Sequence, residues 1–142
     1  MFEVNLVAAV SVSQAAYPYL RGRGGGLIVN IGSVADKIGM RHNLAYAASK
    51  AALGSVTRTL ANEWARDGIR VLDVAPGYVV TDMNRDFFSD ERNRSSIERR
   101  IPVRRLGEPE EIGALVASLF TNPIGYLTGT TIYIDGGQGA AL

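Results

Sequence analysis

Apolar residues recur with helical spacing from residue 2 to residue 20, where Val4, Leu6, Val7, Val10, Val12, Ala15, Ala16 and Tyr19 read as one broad face. No Ser, Thr, Asp or Asn caps that run, and Met1 leads straight into it, so the helix reads as starting in its middle. Arg21–Gly26 is a glycine-rich turn. Leu27–Ile31 then reads as a buried strand that ends just before Ser33, in a loop. Helical pattern returns from about Asn43 to Arg66. There Ala45, Ala47, Ala48, Ala51, Ala52 and Gly54 permit close approach of a neighbouring helix, and Gly68 supplies the stop. Ile69–Val74 is continuous and apolar apart from Arg70 and Asp73, the mark of a strand in a parallel sheet, and Pro76-Gly77 ends it.

The pattern weakens from about residue 82 to 106, a polar, charge-rich stretch with scattered Phe87, Phe88, Ile97 and Ile101. Glu108-Pro109-Glu110-Glu111 opens another helix, because proline suits the first helical position and carboxylates suit the positive end of the dipole. Ile112, Leu115, Val116, Leu119 and Phe120 are its expected buried stripe. Thr130–Ile134 reads as a third strand, closed by Asp135-Gly136-Gly137.

Composition narrows the field. The chain has 142 residues, 46% of them hydrophobic and 20% charged, enough apolar material for one core. A net charge of +1 gives no reason to expect nucleic acid or a membrane surface as a partner. No apolar run approaches the ~18 residues that span a bilayer, and Met1-Phe2-Glu3 lacks a basic leader. With no cysteine, disulfides and thiolate metal sites are excluded, which fits the cytoplasm. His42 is the only histidine, so neither a histidine triad nor a multi-histidine metal site is expected.

The candidate chemistry lies at the start of the second helix. Tyr46 and Lys50 are four residues apart, so their side chains share a face. An ammonium beside a phenol favours the phenolate, and such a tyrosine can exchange a proton with an alcohol or ketone near neutral pH. Ser33, carried past a strand end into a cleft, can hold a carbonyl oxygen. The spacing alone also suits a packed tyrosine with a solvated lysine one turn on. Arg21–Gly26 is no phosphate cradle: the Gly-x-Gly-x-x-Gly spacing is missing and the glycines precede a strand instead of following one.

Val4-Asn5-Leu6, Ile28-Val29-Asn30-Ile31-Gly32-Ser33, Tyr46-Ala47-Ala48-Ser49-Lys50, Pro76-Gly77-Tyr78-Val79-Val80-Thr81 and Ile134-Asp135-Gly136-Gly137 follow one another along the chain. In that order they resemble the C-terminal half of the short-chain dehydrogenases/reductases, nearest to 3-oxoacyl-carrier-protein reductases and sugar dehydrogenases. The resemblance implies an α/β fold, the C-terminal half of a Rossmann-type doubly wound parallel sheet with about three strands, forming a single partial domain over 1–142. It implies NAD or NADP as cofactor and a small-molecule carbonyl or alcohol as substrate. Tyr46 would be the general acid or base. Lys50 would assist it and bind the nicotinamide ribose, Ser33 would orient the carbonyl, and Asn5 would hold a relay water. Pro76, Gly77, Val79 and Thr81 would flank the nicotinamide, with the Val79 backbone bonded to its carboxamide.

The stretch 82–106 would be a mobile lid over the substrate. Each assignment has a plainer counterpart: an exposed surface Asn5, an ordinary turn at Pro76-Gly77, and a solvated helical excursion at 82–106. The family's first strand, pyrophosphate turn and adenine-binding residues have no counterpart in this sequence. Leu27–Ile31 is therefore expected to carry an unpaired edge. A fragment, a start set at an internal methionine, or a second polypeptide would each account for it. Two functional readings follow: the catalytic half of an oxidoreductase, and a non-catalytic assembly piece. The helices 2–20 and 43–66 resemble those that pair in the family's homo-oligomers, dimers or tetramers.

Overall fold

A computed structural model describes residues 1–122 and 124–140. Three parallel strands lie in the order β1 (Gly26–Ile31), β2 (Ile69–Pro76), β3 (Thr131–Ile134), with Gly26 opposite Ile69 and Asp73 opposite Thr131. The expected α/β half-sheet is therefore present. β2 is the central strand because its run is apolar on both faces and can be covered on both. Ile69 and Val71 point to one layer, where they meet Leu60, Ala61 and Trp64 of α2 (Leu44–Trp64) and Tyr17 and Leu20 of α1 (Ala8–Gly22). Leu72 and Val74 point the other way, onto Ile112, Leu115, Val116 and Leu119 of α5 (Pro109–Thr121). Ile69, Val71, Leu72 and Val74 are all at most 1% exposed, and burying each such side chain contributes about 1.5–3 kcal/mol. β1 pairs only with β2, so its other edge is unpaired among the described residues.

The first helix runs from Glu3 to Gly22, beginning with a π-helical turn at Glu3–Val7. Its apolar residues do not form one face, as the periodicity suggests. Leu6, Val10, Ala16, Tyr17 and Leu20 pack inward, whereas Val4, Val7, Val12, Ala15 and Tyr19 lie on the opposite side and face out. A helix wall can be covered by one neighbouring layer only over about 100° of its circumference, so the second stripe has nothing to cover it. Tyr17 stacks on Trp64 with ring centroids 4.8 Å apart, and its hydroxyl donates to Asp67 at 2.7 Å, which fixes α1 against the end of α2. Gly68 ends that helix in the left-handed region, φ 72°, where glycine carries no Cβ penalty.

Phe120 is 58% exposed and is not part of the α5 stripe. It follows Leu119 by 100° of helix turn, which carries it past the covered face. The start of α5 is as expected: Pro109 is its first residue, and the Glu111 carboxylate accepts from the Glu108 amide at 3.0 Å and from Arg105 at 2.7 and 2.8 Å. The Arg105 guanidinium and that amide hold the Glu111 carboxyl down to about 2. Between Asp82 and Leu106 the chain forms two short helices, α3 (Arg85–Ser89) and α4 (Glu91–Glu98). Phe88, Ile101 and Leu106 make a small core of their own with Tyr78, Val80 and Ile97, while Phe87 stays exposed.

Candidate active site

The carboxyl ends of β1 and β2, the start of α2 and the inner face of α5 enclose a cleft of about 590 Å³. Ser33, Tyr46, Lys50, Pro76, Gly77, Val79 and Thr81 all line it. In an open parallel sheet the strand ends leave such a crevice because the connecting loops diverge there toward different helices.

Ser33 stands in extended backbone, φ −168°, just beyond β1, and its Oγ accepts from the Ala35 amide at 3.2 Å to cap the turn Val34–Asp36. That bond uses a lone pair and leaves the O–H to donate. Tyr46 occupies the first turn of α2, with Lys50 one turn on. The Lys50 Nζ lies 5.9 Å from the centre of the Tyr46 ring and donates to the Ile31 carbonyl at 2.7 Å. Partial burial lowers the Lys50 ammonium below the usual lysine range, opposed by the charge of Asp73.

Asn5 does not line the cleft. It lies in the π-helical turn and its Nδ2 donates to Ser49 Oγ at 3.1 Å, while Ser49 donates to the Tyr46 carbonyl at 2.7 Å. Ser49 is fully buried, so Asn5 reaches the Tyr46 turn through a fixed relay. Single turns of π-helix occur often at functional positions.

The loop after β2 is shaped by pairing with the start of α5. The Tyr78 carbonyl accepts from Gly107 at 2.9 Å and the Val80 amide donates to the Gly107 carbonyl at 3.0 Å. This pattern turns the polar groups of Val79 away from Gly107. Asn84 then clips the loop, donating to the Val79 carbonyl at 2.9 Å and accepting from the Thr81 amide at 2.7 Å.

Several cleft features escape sequence reasoning. Asn84 is the one residue of the 82–106 stretch among those lining the cleft, and nothing in a weakly periodic polar run singles it out. Gly32, Tyr78, Pro109, Ile112, Gly113 and Val116 also line it. Below the floor, Asp73 is fully buried, and its Oδ1 has no hydrogen-bond partner among the described residues. Burial pushes its carboxyl up to about 6, and Asp36 adds to the rise. The Thr131 hydroxyl at 3.2 Å, Lys50 and the Gly32 amide pull it back. Its signal in the sequence is an acid inside a strand that is apolar apart from it and Arg70.

A cluster of a serine hydroxyl, a phenol and an ammonium around one crevice can hold a carbonyl oxygen and move a proton to or from it. No group of three or more His, Cys, Asp or Glu able to hold a metal is present among the described residues.

Residues 1–138 match the family model described as enoyl-(acyl carrier protein) reductase. The chain belongs to the short-chain dehydrogenase/reductase family. It is 42% identical over 133 residues to a tropinone reductase homolog of Arabidopsis thaliana, covering 94% of this chain and 51% of that protein. With the 3beta-hydroxysteroid dehydrogenase 1 of Eggerthella lenta it shares 40% identity over 139 residues, 97% of this chain and 53% of the relative. A gluconate 5-dehydrogenase from Burkholderia cenocepacia, solved with NADP and tartrate, superposes with a TM-score of 0.92 at 32% identity, over 98% of this chain and 55% of the other. The chain spans about half the length of the curated relatives it matches. No helix among the described residues is long and apolar enough to cross a membrane.

Proposed function

We propose that this chain is the catalytic half of an NAD(P)-dependent oxidoreductase that interconverts a carbonyl and a secondary alcohol on a small molecule. The observation that carries the reading is that Ser33, Tyr46 and Lys50 share one cleft with Pro76, Gly77, Val79 and Thr81. The cleft fits a nicotinamide and its ribose. It offers the Lys50 ammonium to ribose hydroxyls, the backbone of Val79 to a carboxamide, and the apolar Ile112 and Val116 to the ring. When bound, the nicotinamide supplies or accepts a hydride. Tyr46 gives its phenolic proton to the carbonyl oxygen in reduction and takes it back in oxidation. Lys50 favours negative charge on the phenol oxygen as the proton leaves, and the Ser33 O–H donates to the same carbonyl oxygen. Asn5, through Ser49, holds the turn that carries Tyr46.

The solved relative with NADP and tartrate supports a nicotinamide cofactor and a small polar substrate for this half. Homo-oligomer formation through α1 and α2 fits the second apolar stripe of Val4, Val7, Val12 and Tyr19. A reading as a non-catalytic assembly piece draws on the unpaired edge of β1 and the half-length match.

The two readings separate in a chimera that places the N-terminal half of a gluconate 5-dehydrogenase ahead of this chain. NADPH oxidation with a panel of small ketones should proceed, and Tyr46→Phe should lower it by about 10²–10⁴-fold with the circular dichroism unchanged. A Tyr46→Phe rate within a factor of about two of the parent would refute the catalytic assignment.

A further inference from the structure

Beside the cleft, and sharing Tyr78 with it, lies a second hollow of about 390 Å³. Its walls include Met40, Arg41 and Asn43 from the loop ahead of α2, Arg100 from the segment after α4, and Gln138 from the end of the chain. We infer that this hollow binds an anionic oxygen group of the substrate, a carboxylate or a phosphate ester, while the carbonyl lies at Ser33 and Tyr46. The inference rests on the proposed redox reading and specifies its substrate class.

Three observations converge. Two guanidiniums from different segments line one hollow, and no acidic residue lines it with them. Arg41 and Arg100, like most of the arginines, form no ion pair among the described residues, so both guanidiniums are free to take an anion. Gln138 is only 9% exposed, yet its Oε1 has no hydrogen-bond partner among the described residues. That oxygen is sealed from solvent, so it accepts from a ligand hydroxyl only once the Gln138 side chain turns toward the hollow, and the donors for an anion are the two guanidiniums. Guanidinium forks match the planar oxygens of carboxylate and phosphate. Tyr78 belongs to both walls, so the hollow adjoins the cleft that holds Ser33.

The test is an isotope-edited NMR titration of the full 142-residue chain, reading the Nε–H signals of Arg41 and Arg100 and the side-chain amide of Gln138. The probes are 4-oxopentanoate, its neutral methyl ester, and inorganic phosphate. Saturable shifts with either anion and none with the ester are expected, and the stronger of the two anions names the group. The double variant Arg41→Gln/Arg100→Gln should weaken anion binding at least about tenfold. Shifts of equal size with the ester, shifts confined to other residues, or undiminished binding by the double variant would overturn the inference. A parallel titration with reduced nicotinamide mononucleotide, read at the Ser33 and Thr81 amides, reports on the redox reading alone. Anion failure beside nicotinamide success sinks only the present inference, whereas nicotinamide failure sinks the redox reading and, even where the anion binds, the hollow's role toward its substrate.

Discussion

The Lys50 ammonium donates a 2.7 Å hydrogen bond to the carbonyl of Ile31, the last residue of β1. This bond ties the second turn of α2 to the strand end two residues before Ser33. The separation of the serine from the tyrosine is thereby set by the packing of a helix on a strand and not by a free loop. Groups held on rigid elements keep the alignment that proton transfer requires.

The opposite side of the same turn is held by the Asn5–Ser49–Tyr46 relay. Ser49→Ala removes both bonds and leaves the Asn5 amide facing a methyl group in a buried place. A loss of about 1–3 kcal/mol in unfolding free energy is expected, measured by urea denaturation. A variant as stable as the parent would mean that the relay is incidental.

Asp73 makes stability depend on pH in a direction opposite to most acids. Its folded carboxyl sits at about 6, above the ordinary value of 3.8, so between those limits the folded chain holds more protons than the unfolded one. The contribution of this group is most favourable below about pH 4 and is lost as pH rises to about 6. Asp73→Asn should remove that slope and raise stability above pH 6 by on the order of 2 kcal/mol. Denaturation midpoints of parent and variant across this range check it. A variant whose midpoint falls in parallel with that of the parent would place the slope elsewhere.

Gly32 is required by Asp73. A Cβ at position 32 would lie 2.5 Å from both carboxylate oxygens. Gly32→Ala should therefore cost about 1–3 kcal/mol, and adding Asp73→Ala should recover most of it. A double-mutant cycle by thermal unfolding measures the coupling, and additive effects would contradict the contact.

Much of this site was legible in residues alone. The helical spacing of Tyr46 and Lys50, the strand end before Ser33 and the Pro76-Gly77 break are all local features, and the fold brings them together because each lies at the carboxyl end of a strand or the start of the helix beside it. What was not legible depended on distant packing. The pattern of α1 contains two apolar stripes, and only the position of Trp64 and β1 decides which faces inward. Phe120 follows the stripe in sequence but lies a further 100° around the helix. Asp73 reads as an irregularity in a strand until α2 and Gly32 enclose it. Asn84 acquires its role only because Gly107 shapes the loop that it clips.

The most direct measurement is the titration of the 142-residue chain with reduced nicotinamide mononucleotide, followed by backbone amide NMR. In the proposed function the nicotinamide half of the cofactor is the part that would enter this cleft. Saturable shifts should cluster at Gly32, Ser33, Gly77, Val79 and Thr81 and weaken at least about tenfold in Lys50→Met. Shifts scattered over other surfaces, or none up to millimolar ligand, would contradict a nicotinamide site at the end of this sheet.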